Sequence, residues 1–216
     1  MLSTRKVTRR STNARTSWRA NCALALPKVG GPLSSNIKFI FNLAKLKTHS
    51  LTVYTGAVKN MFGVIPQGLR IEGHRRFSQS DHFSEMLVDI FSQVRPHLTI
   101  MDGVVAMEGE GPAAGRLRTT MVVVAGRDGV AVDAVSSAII GFKPLDIITT
   151  SDAHQRGLGQ GELSQIEILG INLGDRQAAP PEMAGELEEG AILAAIRIED
   201  ADRRPRCCRQ AEELSR

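Results

Sequence analysis

Residues 80–103 read SDHFSEMLVDIFSQVRPHLTIMDG, and this stretch decides the fold class. Its apolar residues recur at the spacing i, i+3, i+4, i+7, i+8 and i+11, which predicts a helix over 81–94 with one continuous apolar face. Ser80 or Asp81 can cap the start of this helix. The run at 98–101 then predicts a short strand. A helix followed at once by an apolar strand is typical of an α/β sheet.

The same alternation of strands and helices extends to both sides of this stretch. The predicted strands are 37–43, 121–124 and 166–171, and the predicted helices are 52–62, Asp128 to Gly141, Pro144 to Arg156, and 183–197. We therefore predict an α/β domain over 36–174, with a mixed, largely parallel sheet flanked by helices.

The two ends of the chain differ in composition from this domain. Residues 1–35 are rich in Arg, Ser and Thr and show no sustained hydrophobic period, which predicts a basic, disordered leader. Residues 175–216 are rich in Ala, Glu and Pro and are expected to form a helical or disordered tail. The composition of the leader also resembles that of an organellar import peptide, which stays open beside a cytoplasmic location.

The net charge of +4 conceals a strong asymmetry along the chain. Residues 1–71 carry 12 of the 27 Lys and Arg and none of the 23 Asp and Glu, so residues 72–216 carry a net charge of −8. A basic arm can bind nucleic acid, but Trp18 is the only aromatic residue in this leader, so a nucleic-acid partner is disfavoured. No apolar run is long enough to span a membrane, and we expect no membrane partner.

The cysteines exclude several metal centres. The chain has three, Cys22, Cys207 and Cys208, and contains no C-x-x-C pair. Neither a zinc ribbon nor the ligands of an iron–sulfur cluster can be assembled from them. No cofactor is therefore assignable within this chain, and a reducing compartment such as the cytoplasm is expected.

A basic segment follows the first predicted strand. Lys45, Lys47 and His49 alternate, so if the strand continues they share one face with Phe41 and Leu43. Open α/β sheets bind ligands beyond the carboxyl ends of their strands. Positive charge at such an end favours an anionic ligand, and a solvated strand end is the alternative.

Two further segments carry candidate groups. If 52–62 is a helix, Thr55 and Lys59 are i, i+4 neighbours that can reach one ligand; otherwise Lys59 is a surface residue and Asn60 only assists the helix end. The Gly-rich loop MEGEGPAAG at 107–115 does not have the spacing of a nucleotide-binding loop. Asp102 and Glu108 flank it as candidate proton acceptors or metal ligands, or as solvated acids of a mobile connection.

Two other polar residues are weaker candidates. His74 is a lone histidine in a predicted loop, with no partner at a recognisable spacing. Asp133 shares a polar helix face with Ser136 and Ser137, and we expect it to be solvated.

Three ordered runs, KLKTHSLTVYTGAVKNMFGVIP, VRPHLTIMDGVVAMEGEGPAAG and DGVAVDAVSSAIIG, resemble the domain-of-unknown-function family numbered 362 over about residues 40–172. The family's Lys-x-Lys-x-His falls on Lys45, Lys47 and His49. Its T-G-x-x-K-N falls on Thr55, Gly56, Lys59 and Asn60. Its D-G-x-x-x-M-E-G-x-G-P includes Asp102, Glu108, Gly109 and Gly111.

The resemblance implies an iron–sulfur setting, because family members often carry, or lie beside, a ferredoxin-like segment. It also implies that the sheet is incomplete, since members normally have a further α/β portion before the Lys-x-Lys-x-His segment. This chain would then be the C-terminal half of the family domain. A ferredoxin-like protein is a candidate partner, and the metal content stays open.

We therefore expect a domain that binds a small anionic ligand or substrate in an iron–sulfur-associated redox setting. Whether it is an enzyme stays open, with an oxidoreductase-associated role as the candidate activity. Binding of nucleic acid through the leader and a truncated, non-functional remnant are the alternatives. The expected catalytic residues are His49, Asp102 and Glu108, and the expected ligand-binding residues are Lys45, Lys47, Thr55, Lys59, Asn60, His74, Gly109 and Gly111.

Overall fold

A mixed six-stranded sheet organises the part of the chain that the structure, a computed structural model, describes: residues 39–170, residue 173 and the backbone of 192–197. Its strands are β1 (Phe41–His49), β2 (Val53–Thr55), β3 (Leu98–Glu108), β4 (Arg116–Gly126), β5 (Glu167–Leu169) and β6 (Ile192–Arg197), in the order β2-β1-β3-β4-β6-β5. β1 and β3 are parallel, as are β4 and β6, and the other neighbouring strands are antiparallel. The predicted mixed α/β fold is confirmed, with less parallel pairing than expected.

Five α-helices and three short 3-10 helices lie between the strands of the described residues. The helices are α1 (Ala57–Asn60), α2 (Gln67–Arg76), α3 (Ser80–Gln93), α4 (Gly129–Ile139) and α5 (Ile148–Gln155), and the 3-10 helices are Met61–Val64, Pro144–Asp146 and Leu163–Gln165. α3 confirms the helix predicted from its apolar period. Asp128 caps α4 as predicted, because its side chain accepts hydrogen bonds from the N–H groups of Val130 and Ala131.

The apolar face of α3 forms the centre of one of two hydrophobic clusters. Phe83, Leu87 and Phe91 are almost fully buried there and pack with Val58 and Phe62 from the segment around α1. Full burial of each such side chain contributes about 1.5–3 kcal/mol. The second cluster lies between the sheet and α4, and it includes Leu46, Tyr54, Met101, Val124 and Val135.

Helices cover one face of the sheet near β1 and leave the other face open there. Asn42, Ala44 and Leu46 are buried, whereas Phe41 is 61% and Leu43 is 68% exposed. The strand continues beyond its predicted end to His49, but the alternation stops at Leu46, where the pairing with β3 shifts register. His49 is buried, so the expectation that it shares the exposed face of Phe41 and Leu43 was wrong. The basic segment is therefore part of a strand, at the carboxyl end of β1.

Three local predictions were wrong. The segment predicted as a helix over 52–62 begins as strand β2, because Val53–Thr55 pairs antiparallel with the end of β1, and only Ala57–Asn60 is α-helical. Neither Ser80 nor Asp81 caps α3: its N-cap is Gln79, and the hydroxyl of Ser80 donates instead to the carbonyl of Leu51 at 2.5 Å.

The third correction concerns the end of the chain. Residues 192–197, predicted as part of a helix over 183–197 in a helical or disordered tail, form β6 between β4 and β5. The sheet thus includes a strand beyond the expected domain boundary at 174. The expected leader at 1–35 lies outside the described residues, as does the rest of the expected tail. No helix in the described ranges is long and apolar enough to cross a membrane.

Candidate functional site

The predicted basic residues of β1 separate into two environments. Lys45 is opposite Asp102 in the register of β1 and β3, and its Nζ donates to Oδ2 of Asp102 at 2.7 Å. Both side chains are about half exposed. This hydrogen bond is the main reason why the pKa of Asp102 is lowered. Lys45 and Asp102 thus form a surface ion pair.

Glu108 is also held by basic side chains. Its Oε2 accepts from Arg118 at 2.7 Å and its Oε1 lies 3.4 Å from Arg116, both of β4. The two acids proposed from the sequence for proton transfer or metal contact therefore lie in ion pairs on the strands. Neither is placed as an isolated carboxylate facing the basic segment.

The Gly-rich loop packs on the carboxyl end of β1. The hydroxyl of Thr48 donates to the carbonyl of Gly109 at 2.8 Å, and the N–H of Ser50 donates to the carbonyl of Gly111 at 3.3 Å. A Cβ on Gly111 would lie 2.0 Å from the carbonyl oxygen of Thr48, so only glycine allows this approach. The structure thus brings the two predicted glycines beside the basic segment.

Lys47 reaches this loop from β1. Its Nζ lies 3.5 Å from the carbonyl oxygen of Pro112. The contacts of the loop with β1 are made by carbonyl groups, at Gly109, Gly111 and Pro112. Because these carbonyls accept hydrogen bonds, attraction for an anion at this end of β1 has to come from side chains.

Thr55 contributes an unused hydroxyl group. It is directly opposite Lys47 in the antiparallel pairing of β1 and β2, and directly paired residues project to the same face of a sheet. Thr55 is only 8% exposed, and its Oγ1 has no hydrogen-bond partner among the described residues. A buried polar group without a partner costs about 1–3 kcal/mol, which a ligand can recover.

Lys59 lies four residues further, on α1. It is half-buried and makes no hydrogen bond or ion pair with a described residue. Burial, and next the positive charge of Lys47, lowers the pKa of Lys59 to about 8. The expectation that Thr55 and Lys59 share one helix was wrong, because Thr55 ends β2, but the two still flank the same turn at Gly56.

His49 is nearly buried at the end of β1. Its Nδ1 accepts the backbone N–H of Leu51 at 3.0 Å and that of Thr52 at 3.4 Å. Burial first, and then the charges of Lys59, His74 and Lys47, lower the pKa of His49 to about 4. The imidazole is therefore neutral at pH 7 and, with Nδ1 accepting, carries its proton on Nε2 as a hydrogen-bond donor.

His74 lies on α2, where a loop was predicted, beside two aromatic rings. Its ring stacks on Phe83 with centroids 4.6 Å apart, and meets Phe62 edge-on at 5.5 Å. Burial and the charge of Lys59 lower its pKa. We call Lys47, His49, Thr55, Lys59 and His74 the basic cluster. The pKa shifts of His49, Lys59 and His74 have no acidic group among their causes.

Asn60 makes hydrogen bonds that hold α1 against β1, and these bonds involve no residue of the basic cluster. Its Nδ2 donates to Oδ1 of Asn42 at 2.7 Å and to the carbonyl of Leu43 at 3.0 Å. Asn42 in turn donates to the carbonyl of Ala57 at 2.9 Å. These bonds fasten α1 to β1 and so set the position of Lys59.

Asp133 is the residue that sequence reasoning misjudged most. It is 1% exposed rather than solvated, and it accepts the backbone N–H of Ala57 at 2.5 Å and that of Val58 at 3.0 Å. Burial raises its pKa to about 7, against the effect of these hydrogen bonds. One signal was available: α4 is apolar except for Asp133, Ser136 and Ser137, and so apolar a helix is typically buried.

A resident metal ion does not fit the described residues. No group of three or more His, Cys, Asp or Glu side chains in this part of the chain is placed to hold one. Cys22, Cys207 and Cys208 lie outside it.

Comparison with known proteins gives a family and one relative. The profile of a family described as "Domain of unknown function (DUF362)" matches residues 27–138. The chain is 35% identical over 120 residues to a protein of Synechocystis sp. named "Thylakoid-associated protein sll1697", a match that covers 55% of this chain and 37% of that protein. The chain thus spans little more than a third of the relative's length. No solved structure matches the chain.

Proposed function

Since the chain belongs to the DUF362 family, whose description assigns no activity, we propose a function from the site itself: the basic cluster binds a small anionic ligand. The observation that carries this proposal is the buried hydroxyl of Thr55, without a partner among the described residues, opposite Lys47. A ligand oxygen that accepts from both groups would satisfy the hydroxyl and neutralise the ammonium.

The charge distribution around Thr55 supports the same proposal. The positive charge of Lys47 lowers the pKa of both Lys59 and His49, and that of Lys59 also lowers the pKa of His49, so the positive charges of the cluster repel one another. Burial, and next this repulsion, lowers the pKa of Lys59. An anion that enters the cluster relieves the repulsion. Lys47 and Lys59 would supply charge, and Thr55 and His49 would supply oriented donors.

The redox setting implied by the family resemblance finds no support in the described donor groups. We therefore propose no electron transfer and no ferredoxin-like partner from this structure. The anion-binding proposal does not depend on either. Binding of nucleic acid through residues 1–35 concerns a segment outside the described residues, and no observation favours it or a non-functional remnant.

Stabilisation by anions tests the proposal. The full chain is unfolded by heat in ethyl phosphate, inorganic phosphate, sulfate, propionate or citrate at constant ionic strength, with sodium chloride as the reference. A ligand that binds only the folded state raises the unfolding temperature by a few degrees at concentrations well above its Kd. We expect at least one anion to do so.

Matched variants locate the effect. Lys47→Ala and Lys59→Ala should each abolish the anion-dependent rise, whereas Lys143→Ala removes one exposed lysine outside the basic cluster and should leave it unchanged. Equal rises in all three variants would mean that the anions act on general surface charge, and the proposal would be wrong.

A further inference from the structure

Four side chains of the basic cluster, those of Lys47, His49, Thr55 and Lys59, offer hydrogen-bond donors to a ligand. The ammonium groups of Lys47 and Lys59 donate only, and Nε2 of His49 carries a proton because Nδ1 is occupied by two backbone N–H groups. The hydroxyl of Thr55 can rotate to donate. Of these four side chains only the hydroxyl of Thr55 can also accept, so the set favours a ligand group rich in acceptor oxygens.

The cluster also carries two full positive charges near neutral pH. The pKa of Lys59, about 8, leaves most of its amine protonated at pH 7, and Lys47 is a second ammonium group. His49 adds no charge there, because its pKa is about 4. The single negative charge of a carboxylate would neutralise only one of the two lysines. The other lysine would keep an uncompensated positive charge in a half-buried site.

We propose that the ligand presents a doubly charged tetrahedral oxyanion to Lys47, Lys59, Thr55 and His49, and that this group is a phosphoryl group, of a monoester or of free phosphate. This inference rests on the proposed function and names its ligand class. The dianion of a monoester has three terminal oxygens that accept hydrogen bonds and carry no proton. Inorganic hydrogen phosphate presents phosphoryl oxygens of the same kind, and the hydroxyl of Thr55 can accept from its one O–H group, so titration with both probes separates an ester from the free ion.

The position of the Gly-rich loop agrees with this ligand class. Its carbonyls at Gly109 and Gly111 are already engaged by Thr48 and Ser50, so the loop closes the end of β1 with accepting groups. An anion is repelled by these oxygens and is held on the Thr55 side of Lys47. The loop therefore does not form the cradle of N–H groups found in nucleotide-binding loops.

Isothermal titration of the full chain with ethyl phosphate, inorganic phosphate and propionate at pH 7 and constant ionic strength tests the inference. We expect ethyl phosphate to bind at least about tenfold more tightly than propionate, because a second charge-assisted contact is worth that factor or more. Thr55→Val keeps the shape and charge of the site, and should weaken ethyl phosphate binding by about tenfold. Lys143→Ala should bind as the unchanged protein does.

The pH dependence provides a second readout. Affinity for ethyl phosphate should rise between pH 5 and pH 7, as the second proton of the ester leaves with a pKa of about 6. It should fall again above pH 8, as Lys59 loses its proton. Lys59→Arg keeps the charge at alkaline pH, so this variant should lose the fall but keep the rise.

Each result is decisive. Propionate binding as tightly as ethyl phosphate, while still depending on Lys47 and Lys59, overturns the phosphoryl assignment and leaves the anion site standing. Ethyl phosphate binding more tightly than inorganic phosphate would identify an ester as the source of the phosphoryl group, and the reverse order would identify the free ion; either order supports the phosphoryl assignment. If none of the three probes binds to the unchanged, folded protein, both the phosphoryl assignment and the proposed function are wrong.

Discussion

Gly56 lies against the carboxylate of Asp133 so closely that a Cβ on Gly56 would be 2.1 Å from Oδ1. The same carboxylate accepts the N–H groups of Ala57 and Val58, so it caps the first turn of α1 from a neighbouring helix. The turn that separates Thr55 from Lys59 is therefore fixed by a residue of α4. Two groups of the basic cluster depend on this contact for their positions.

Gly56→Ala tests the contact. The new methyl group would meet Asp133 and the ring of Tyr54, and both are buried, so the protein should lose roughly 1–3 kcal/mol of its free energy of unfolding. Urea unfolding measures this loss. Gly63→Ala is the matched control, because nothing lies within 4 Å of a Cβ at Gly63. Equal stability of the two variants would contradict the packing described for Gly56.

Asp133→Ala should be more damaging than either glycine variant. It leaves two N–H groups of α1 without their acceptor and opens a cavity, which together cost roughly 3 kcal/mol. Because Lys59 follows on α1, anion affinity should also fall, although Asp133 touches no ligand. A variant that loses stability but retains full affinity would show that α1 is positioned by Asn60 alone.

The pKa of Asp133 predicts a pH dependence of stability. The folded state holds this proton more tightly than the unfolded state, since the pKa is raised from 3.8 to about 7. The contribution of Asp133 to stability therefore decreases as pH rises from about 4 through about 7. In Asp133→Asn this decrease should be absent. The free energy of unfolding in urea is measured for both proteins at pH 5 and pH 8. A change between these pH values that is equal in both proteins would contradict the raised pKa of Asp133.

His49 predicts the opposite dependence. Its pKa is lowered from 6.5 to about 4, so the unfolded state binds the proton more tightly and stability is lost as pH falls from 6.5 toward 4. His49→Asn keeps an acceptor for the N–H groups of Leu51 and Thr52 but cannot become charged. The variant should lose less of its unfolding temperature than the unchanged protein between pH 7 and pH 5. An identical loss would place the acid sensitivity elsewhere.

Asp102→Asn tests the proton-transfer role that the sequence suggested for Asp102. The carboxylate pairs with Lys45 at the surface, and such pairs contribute about 0–1 kcal/mol. Stability should change by less than about 1 kcal/mol, and the affinity for the tightest anion should change by less than about twofold. A larger loss of affinity would bring Asp102 into the site after all.

The sequence predicted the elements that depend on residues close to one another in the chain. α3 follows from its apolar period, and the cap at Asp128 follows from its place before an apolar run. Pairing between distant segments was not predictable in this way. Val53–Thr55 forms a strand because it folds back on β1, and residues 192–197 form a strand because β4 and β5 lie on either side.

The candidate site was likewise predictable only where neighbouring residues in the chain determine it. The alternation of Lys45, Lys47 and His49 placed a basic segment at the end of a strand, and the structure adds that Lys45 is withdrawn from it by Asp102. The pairing of Lys45 with an acid on β3 depends on the register between β1 and β3. The buried position of Asp133 depends on α4 packing against α1, which the sequence indicates only through the mostly apolar composition of α4.

The position of a bound anion shows whether Thr55, Lys47 and Lys59 form the binding site. The measurement is a crystal structure of the full chain with the anion that stabilises it most. We expect this anion within hydrogen-bond distance of Oγ1 of Thr55 and of Nζ of both Lys47 and Lys59. An anion bound elsewhere, for example at Arg116, with the hydroxyl of Thr55 still unpaired, would contradict it.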